Sequence, residues 1–481
     1  MRSGTIEERV RKYIEAERVQ VPVSPVVASR ILHALDAAQP ARRRPRFAFA
    51  AAAAGIATVL LLGIAVAWMR TAQAPSGLVR GSWSTTGSMA VNRGDHSATL
   101  LADGRVLVVG GIQALRPLAS AELYDPLTRA WTSAGSLQLP RWGHTATRLA
   151  NGKVLVAGGS QADGYHLGSS SSVELYDPRT NSWSRAASLH TPRSFHTATL
   201  LADGRVLIVG GVESFSDGSG EVLASAELYD PDTDSWSEGP PLSGPRTKHD
   251  AILLYNDDVL VFGGTAGAGY NQEVTGAVRT AELYDPNSQT WLPAASMLNA
   301  RILPTALSLP DGRVLVVGDE GTNEETAEIF DLAAGRWSPA AAPAVPRADA
   351  VGFALPTGMV VFAGGVGQKT VEAFDWRHNH WSLTGNLDEV RGAATATVLA
   401  SGQVLLAGGY GHLSMPWATA ELYDPNGSSL VAGTSTRSAV PPITTPALVF
   451  GIATLLLGLG LSLSLRRRLA RQSQAGEIWV D

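Results

Sequence analysis

The sequence predicts an all-β fold in which seven four-stranded units form a radial array, flanked by two membrane-spanning helices. Three observations predict it. A glycine pair ends an apolar segment at Gly110-Gly111, Gly158-Gly159, Gly210-Gly211, Gly263-Gly264, Gly364-Gly365 and Gly408-Gly409, with Gly318 alone at the fifth copy. These copies recur roughly every 50 residues, a period typical of radial or stacked repeats. Each is followed, after a loop, by a block running from Glu to an aromatic residue and Asp. Finally, uncharged stretches at 47–69 and 446–465 lie outside the array, each near the roughly 20 apolar residues that a bilayer-crossing helix needs.

Residues 1–46 read as a cytoplasmic segment of short helices. Thr5–Arg18 and Pro25–Ala38 carry helical spacing, and Ser24 caps the second with Pro25 at its first position. Few apolar residues lie between them, so they suit docking to a partner or the membrane surface better than an independent fold. Arg42, Arg43, Arg44 and Arg46 precede the first span, and Arg466, Arg467, Arg468 and Arg471 follow the second. Basic flanks stay cytoplasmic, which places 1–46 and the tail 466–481 inside and the array, 80–430, outside, joined to the second span by a linker, 431–445. Alternatives remain for both spans: a cleaved signal peptide ending near Ala72-Gln73-Ala74, and a C-terminal sorting signal that is later removed.

Residues 71–465 carry 23 basic and 36 acidic side chains, a net of −13. Nucleic acid is therefore not an expected partner, because its phosphates need cations. There is no cysteine, which excludes disulfides, thiolate metal sites and cysteine catalysis. No cofactor and no metal are expected.

Within a unit, His96–Leu101 alternates small and apolar side chains, Asp103-Gly104 suits a two-residue hairpin turn, and Arg105–Val109 is a β-branched strand. A third strand, Ala121–Asp125, stops at Pro126. A fourth carries Trp131. Such a four-stranded meander must stack on its neighbours to bury both faces. With its glycine pairs, its AELYDP blocks (Glu122–Pro126, Glu227–Pro231, Glu282–Pro286, Glu421–Pro425) and its spaced tryptophans (Trp131, Trp183, Trp236, Trp291, Trp337, Trp381), the chain resembles the kelch-repeat β-propellers. The resemblance implies seven blades and, with the two spans, a membrane-anchored protein of the bacterial cell surface. No Trp follows Pro425, yet Trp83 precedes the first unit. The Trp83 strand is therefore expected to be the outermost strand of blade seven, pairing with Ala420–Asp424 and closing the ring.

Two charged registers stand out. Arg93, Arg141, Arg193, Arg246, Arg301, Arg347 and Arg391 each precede an inner strand, and Glu122, Glu174, Glu227, Glu282, Glu328, Glu372 and Glu421 each open a third strand. The two positions lie at one end of a blade about 9.5 Å apart. Each Arg is expected to reach across the glycines to its own blade's Glu as a structural pair; the alternative is an arginine ring for an anionic ligand. His96, His144, His196 and His249 follow the first four arginines, but Pro304, Ala350 and Ala394 hold that register elsewhere, which reads as repeat grammar more than a metal site.

Loops between second and third strands vary most, and such loops on a rigid scaffold commonly carry binding function. The expected ligand-binding residues are Tyr165, His166, Tyr270, Glu273, Tyr410, His412 and Trp417, with Phe215 and Glu221 nearby. Aromatics beside carboxylates suit a protein, peptide or glycan ligand. The primary reading is a membrane-tethered recognition module, more a binder than an enzyme. The alternative implied by the resemblance is a mutarotase-like propeller enzyme acting on a sugar. A galactose oxidase is not expected, since its radical cofactor needs a cysteine crosslinked to tyrosine. A catalytic propeller should place a lone His or carboxylate, outside the repeat registers, deep in the channel. A binding module should show non-repeat aromatics on its loop face.

Overall fold

The computed structural model describes residues 81–427, apart from 162–167, 216–218, 268–275, 319–325 and 412–414. Seven four-stranded antiparallel sheets, with two small two-stranded hairpins beside them, make up the described fold. Blade 1 runs outward from the axis as Ser97–Leu100, Val106–Val109, Ser120–Asp125 and Ala130–Ser136, and blades 2 to 6 follow the same order. Blade 7 takes Thr395–Val398, Val404–Ala407 and Ala420–Asp424 from the end of the array and Ser82–Thr85 from its beginning. Trp83 pairs with Tyr423, as Trp131 pairs with Tyr124 in blade 1. The ring is thus closed by the strand that the tryptophan spacing singles out.

Every second strand, such as Val106–Val109 or Val404–Ala407, is buried along its whole length, because each blade is covered on both faces. Leu107, Val109 and Leu123 pack on Val154, Val156 and Tyr176 of blade 2. Val106 and Val108 pack the other way, on Leu405, Ala407 and Leu422 of blade 7. Each fully buried side chain of this kind contributes roughly 1.5–3 kcal/mol. In blades 1 to 6 the outer tryptophan adds a directional bond, its indole N–H donating to a carbonyl of the preceding blade: Trp131 to Gly87, Trp183 to Ala134, Trp236 to Ala187, Trp291 to Pro240, Trp337 to Ala295 and Trp381 to Ala341.

The inner hairpins differ from the expected two-residue turn. Leu101 and Arg105 are bonded across Ala102, Asp103 and Gly104, and only Gly104 has positive φ, at 88°. This is the three-residue loop in which a helical turn ends on a left-handed glycine. Asp103 instead accepts from the Arg105 backbone and side chain.

The membrane assignment does not stand. Among the described residues no helix is long and apolar enough to cross a membrane. The expected spans, 47–69 and 446–465, lie outside the described residues, as do 1–46, 431–445 and 466–481. The flanking transmembrane helices, the tethered and extracytoplasmic placement, the cytoplasmic termini and the bacterial-surface assignment are therefore without structural support.

Candidate active site at the axial mouth

The repeat registers are consumed by the scaffold. Each of the seven arginines reaches the glutamate of its own blade at 2.7–3.1 Å. Arg93 Nη1 also donates to the carbonyls of Gly110 and Ser120, and Nη2 donates to Ser120 Oγ. The glutamate in turn accepts from the incoming connector: Glu122 takes the N–H groups of Ala90 and Val91. All seven arginines and all seven glutamates are buried. Burial holds Arg93, Arg141, Arg193, Arg246 and Arg347 below the usual guanidinium value and pushes Glu421 up. Nε of Arg93, Arg141, Arg246 and Arg301 has no hydrogen-bond partner, but the arginines are only 0–3% exposed, which closes them to an external anion.

The glycine pairs do more than leave room for arginine. Gly111 N–H donates to the Arg141 carbonyl of the next blade, and a Cβ on Gly110 would lie 2.5 Å from that same oxygen and 2.9 Å from His144 Cε1. Both glycines also have positive φ. They are the contact point between blades.

The histidines form an interblade girdle. Nε2 of His144, His196, His249 and His96 bonds the hydroxyl of Ser97, Thr145, Thr197 and Thr395 at 2.9–3.0 Å, each on the inner strand of the preceding blade. Burial, with nearby arginine, lowers His96, His144 and His249 to about 3 and His196 well below its ordinary value. They are neutral at physiological pH. Among the described residues no group of three or more His, Cys, Asp or Glu side chains could hold a metal.

The girdle breaks after blade 4. Where blades 1, 2, 3 and 7 put a serine or threonine facing a histidine, blade 4 puts Asp250, and the facing residue in blade 5 is Pro304. The Asp250 carboxylate spans the gap, Oδ2 accepting from Ala306 N–H of blade 5 and Oδ1 from Ala251 N–H, both at 2.8 Å. It heads an innermost strand and stays half-buried. Desolvation pushes its carboxyl up to about 6, against the pull of the two N–H groups.

A second ring lies at the mouth of the axis. Asp95, Gly143, Phe195, Lys248, Leu303, Asp349 and Ala393 each follow an arginine by two positions, and all have φ between 45° and 60°. Backbone bonds link them from blade to blade: Phe195 N–H to the Gly143 carbonyl, Lys248 to Phe195, Leu303 to Lys248 and Ala393 to Asp349. For residues other than glycine this conformation costs roughly 1–3 kcal/mol each, and strain of this kind clusters at functional sites. The side chains at this register do not repeat. Tyr410 Oη donates to Asp95 Oδ2 at 2.8 Å across the blade 7 to blade 1 junction, and Trp142 stacks edge-on against Phe195 with centroids 5.2 Å apart.

Of the expected loop residues, Tyr410 reaches this mouth. Trp417 turns inward, its indole N–H donating to the Val390 carbonyl and its ring lying against Gly411. Tyr165, His166, Tyr270, Glu273 and His412 lie outside the described residues. Phe215 is exposed beside a short hairpin in which Glu221 pairs with Glu213. Sequence reasoning missed the mouth ring and Asp250. Their signal was present as the varying positions inside otherwise constant registers, two after each Arg and one after each His.

Residues 96–318 match the KLHDC2/KLHL20/DRC7 Kelch-repeats domain. The matched stretch lies within the seven-bladed propeller that the described residues form. Kelch-like protein 23 of Homo sapiens is 29% identical over 160 residues, 33% of this chain and 26% of that protein. Alpha-scruin of Limulus polyphemus is 27% identical over 159 residues, 33% of this chain and 16% of that protein. The chain thus spans about a quarter or less of the length of these curated relatives. Among solved structures, a fungal alcohol oxidase of the AA5 family in complex with copper superposes with a TM-score of 0.57 at 18% identity, covering 72% of this chain and 76% of that one. That likeness is one of fold. An oxidase thus shares the fold, so the fold by itself does not favour a binder over an enzyme, contrary to the expectation from the sequence. The copper is that protein's; among the described residues here no group of three or more His, Cys, Asp or Glu side chains could hold a metal ion.

Proposed function

We propose that the kelch propeller is an enzyme acting on a sugar at its axial mouth by proton transfer, of the mutarotase type. One observation carries the reading. The side chains that depart from the repeat stand where the inner strands begin: the carboxylates Asp95, Asp349 and Asp250, with Tyr410 bonded to Asp95 and Trp142 packed on Phe195. Aromatic faces accept the C–H face of a sugar, carboxylates accept its hydroxyls, and a few polar groups in a preformed concavity fix orientation. The closed ring of blades holds them on rigid elements. The oxidase that shares the fold supports the reading only in that this architecture houses catalysis.

The test is anomer exchange followed by NMR magnetisation transfer on a panel of reducing sugars with the full chain. Acceleration over buffer for at least one sugar is expected. Rates equal to buffer for every sugar would remove the proposal.

A further inference from the structure

We infer that Asp250 is the proton-carrying group of this site, a carboxyl open to the axial channel at the single place where the histidine girdle is broken next to an inner-strand acid. The inference rests on the proton-transfer reading above and names the residue that performs it. In blades 1, 2, 3 and 7 the equivalent hydroxyl is spent on a histidine of the next blade, and in blade 5 Thr305 donates to the Ala350 carbonyl. Pro304 offers Asp250 no such partner, so the carboxylate takes two backbone N–H groups, one on each oxygen. A carboxylate oxygen holds two lone pairs, which leaves acceptor capacity on both.

The inner strands packed on either side, Thr197–Leu200 and Thr305–Ser308, bring no ionisable side chain. Along its own chain the neighbours are His249, held neutral by burial, and Lys248 at the mouth. The carboxyl is therefore governed by desolvation and two N–H dipoles, and its rise to about 6 suits a group that both takes and returns a proton near neutrality.

In the proposed step Asp250 takes the proton of the anomeric hydroxyl as the bond between C1 and the ring oxygen breaks, and a water gives a proton to that oxygen. The open-chain aldehyde and hydroxide remain. On reclosure the hydroxyl adds to either face of the carbonyl, hydroxide recovers its proton, and Asp250 returns its own to the anomeric oxygen. Atoms and charge balance, and only the configuration at C1 changes.

Two measurements on the full chain test this. Asp250→Thr installs the residue that blades 2, 3, 5 and 7 already carry, so the fold should survive. Anomer exchange should fall about a hundredfold or more, the scale of acid–base assistance, whereas an unchanged rate in a folded variant would overturn the assignment while leaving the enzyme reading intact. Separately, with 13C-carboxyl aspartate, the resonance missing in Asp250→Thr should titrate near pH 6 and shift on adding sugar. A midpoint near the ordinary 3.8 would overturn the inference whatever the substrate. Titration near 6 in a chain that turns over no sugar would instead remove the sugar reading and leave an ionising channel carboxyl.

Discussion

The buried arginine–glutamate pairs are the costliest single residues to remove. Deleting one partner of a buried pair leaves an uncompensated charge and costs about 3–5 kcal/mol. Glu174→Ala, which strands Arg141 and frees the Gln138 N–H, should lose stability on that scale in denaturant unfolding. The histidines add a pH dependence with a fixed sign. His96, His144 and His249 sit near 3 in the folded chain and near 6.5 unfolded, so the unfolded state binds more protons between those values. Their contribution is fully present above pH 6.5 and is lost as pH falls toward 3. The melting temperature should drop across that window, and His144→Gln should make the drop shallower. Asp250 works in the opposite direction: its raised carboxyl favours folding below 3.8, a contribution lost as pH rises through about 6.

At the scale of the element, the glycine pairs decide how closely blades approach. A Cβ at Gly158 would meet the Arg193 carbonyl at 2.5 Å and His196 Cε1 at 2.7 Å, whereas one at Gly152, in the inner hairpin, meets nothing within 4 Å. Both have positive φ. Gly152→Ala should therefore cost only its backbone strain, about 1–2 kcal/mol, and Gly158→Ala clearly more, read as the difference in chemical denaturation midpoints. This distinction explains what was legible in the sequence. Period, strand count, turn positions and the Trp83 closure follow from patterns that local physics repeats seven times. The hairpin type did not, because Asp-Gly serves both two- and three-residue loops. The mouth ring stayed hidden for a different reason: its left-handed backbone is imposed by blade-to-blade bonds, and Asp95, Phe195 or Lys248 carry no local sign of it. Asp250 is readable only once Pro304 is seen to face it.

For the whole molecule, stability rests on closing the ring, and the closing strand is the least tied. Six outer tryptophans donate to the preceding blade, but the Trp83 indole N–H has no partner, leaving ring contact with Tyr423 at 5.0 Å and the strand ladder. Trp83→Ala should cost about 3 kcal/mol and speed proteolysis near residue 82. The mouth at the centre of this ring is where side chains stop obeying the repeat, and it is the proposed place of the chemistry. Its most direct test is the pH dependence of sugar anomer exchange by the full chain beside Asp250→Thr. A limb near pH 6 is expected in the parent chain and should vanish with the substitution. The same profile and rate in both proteins would contradict this.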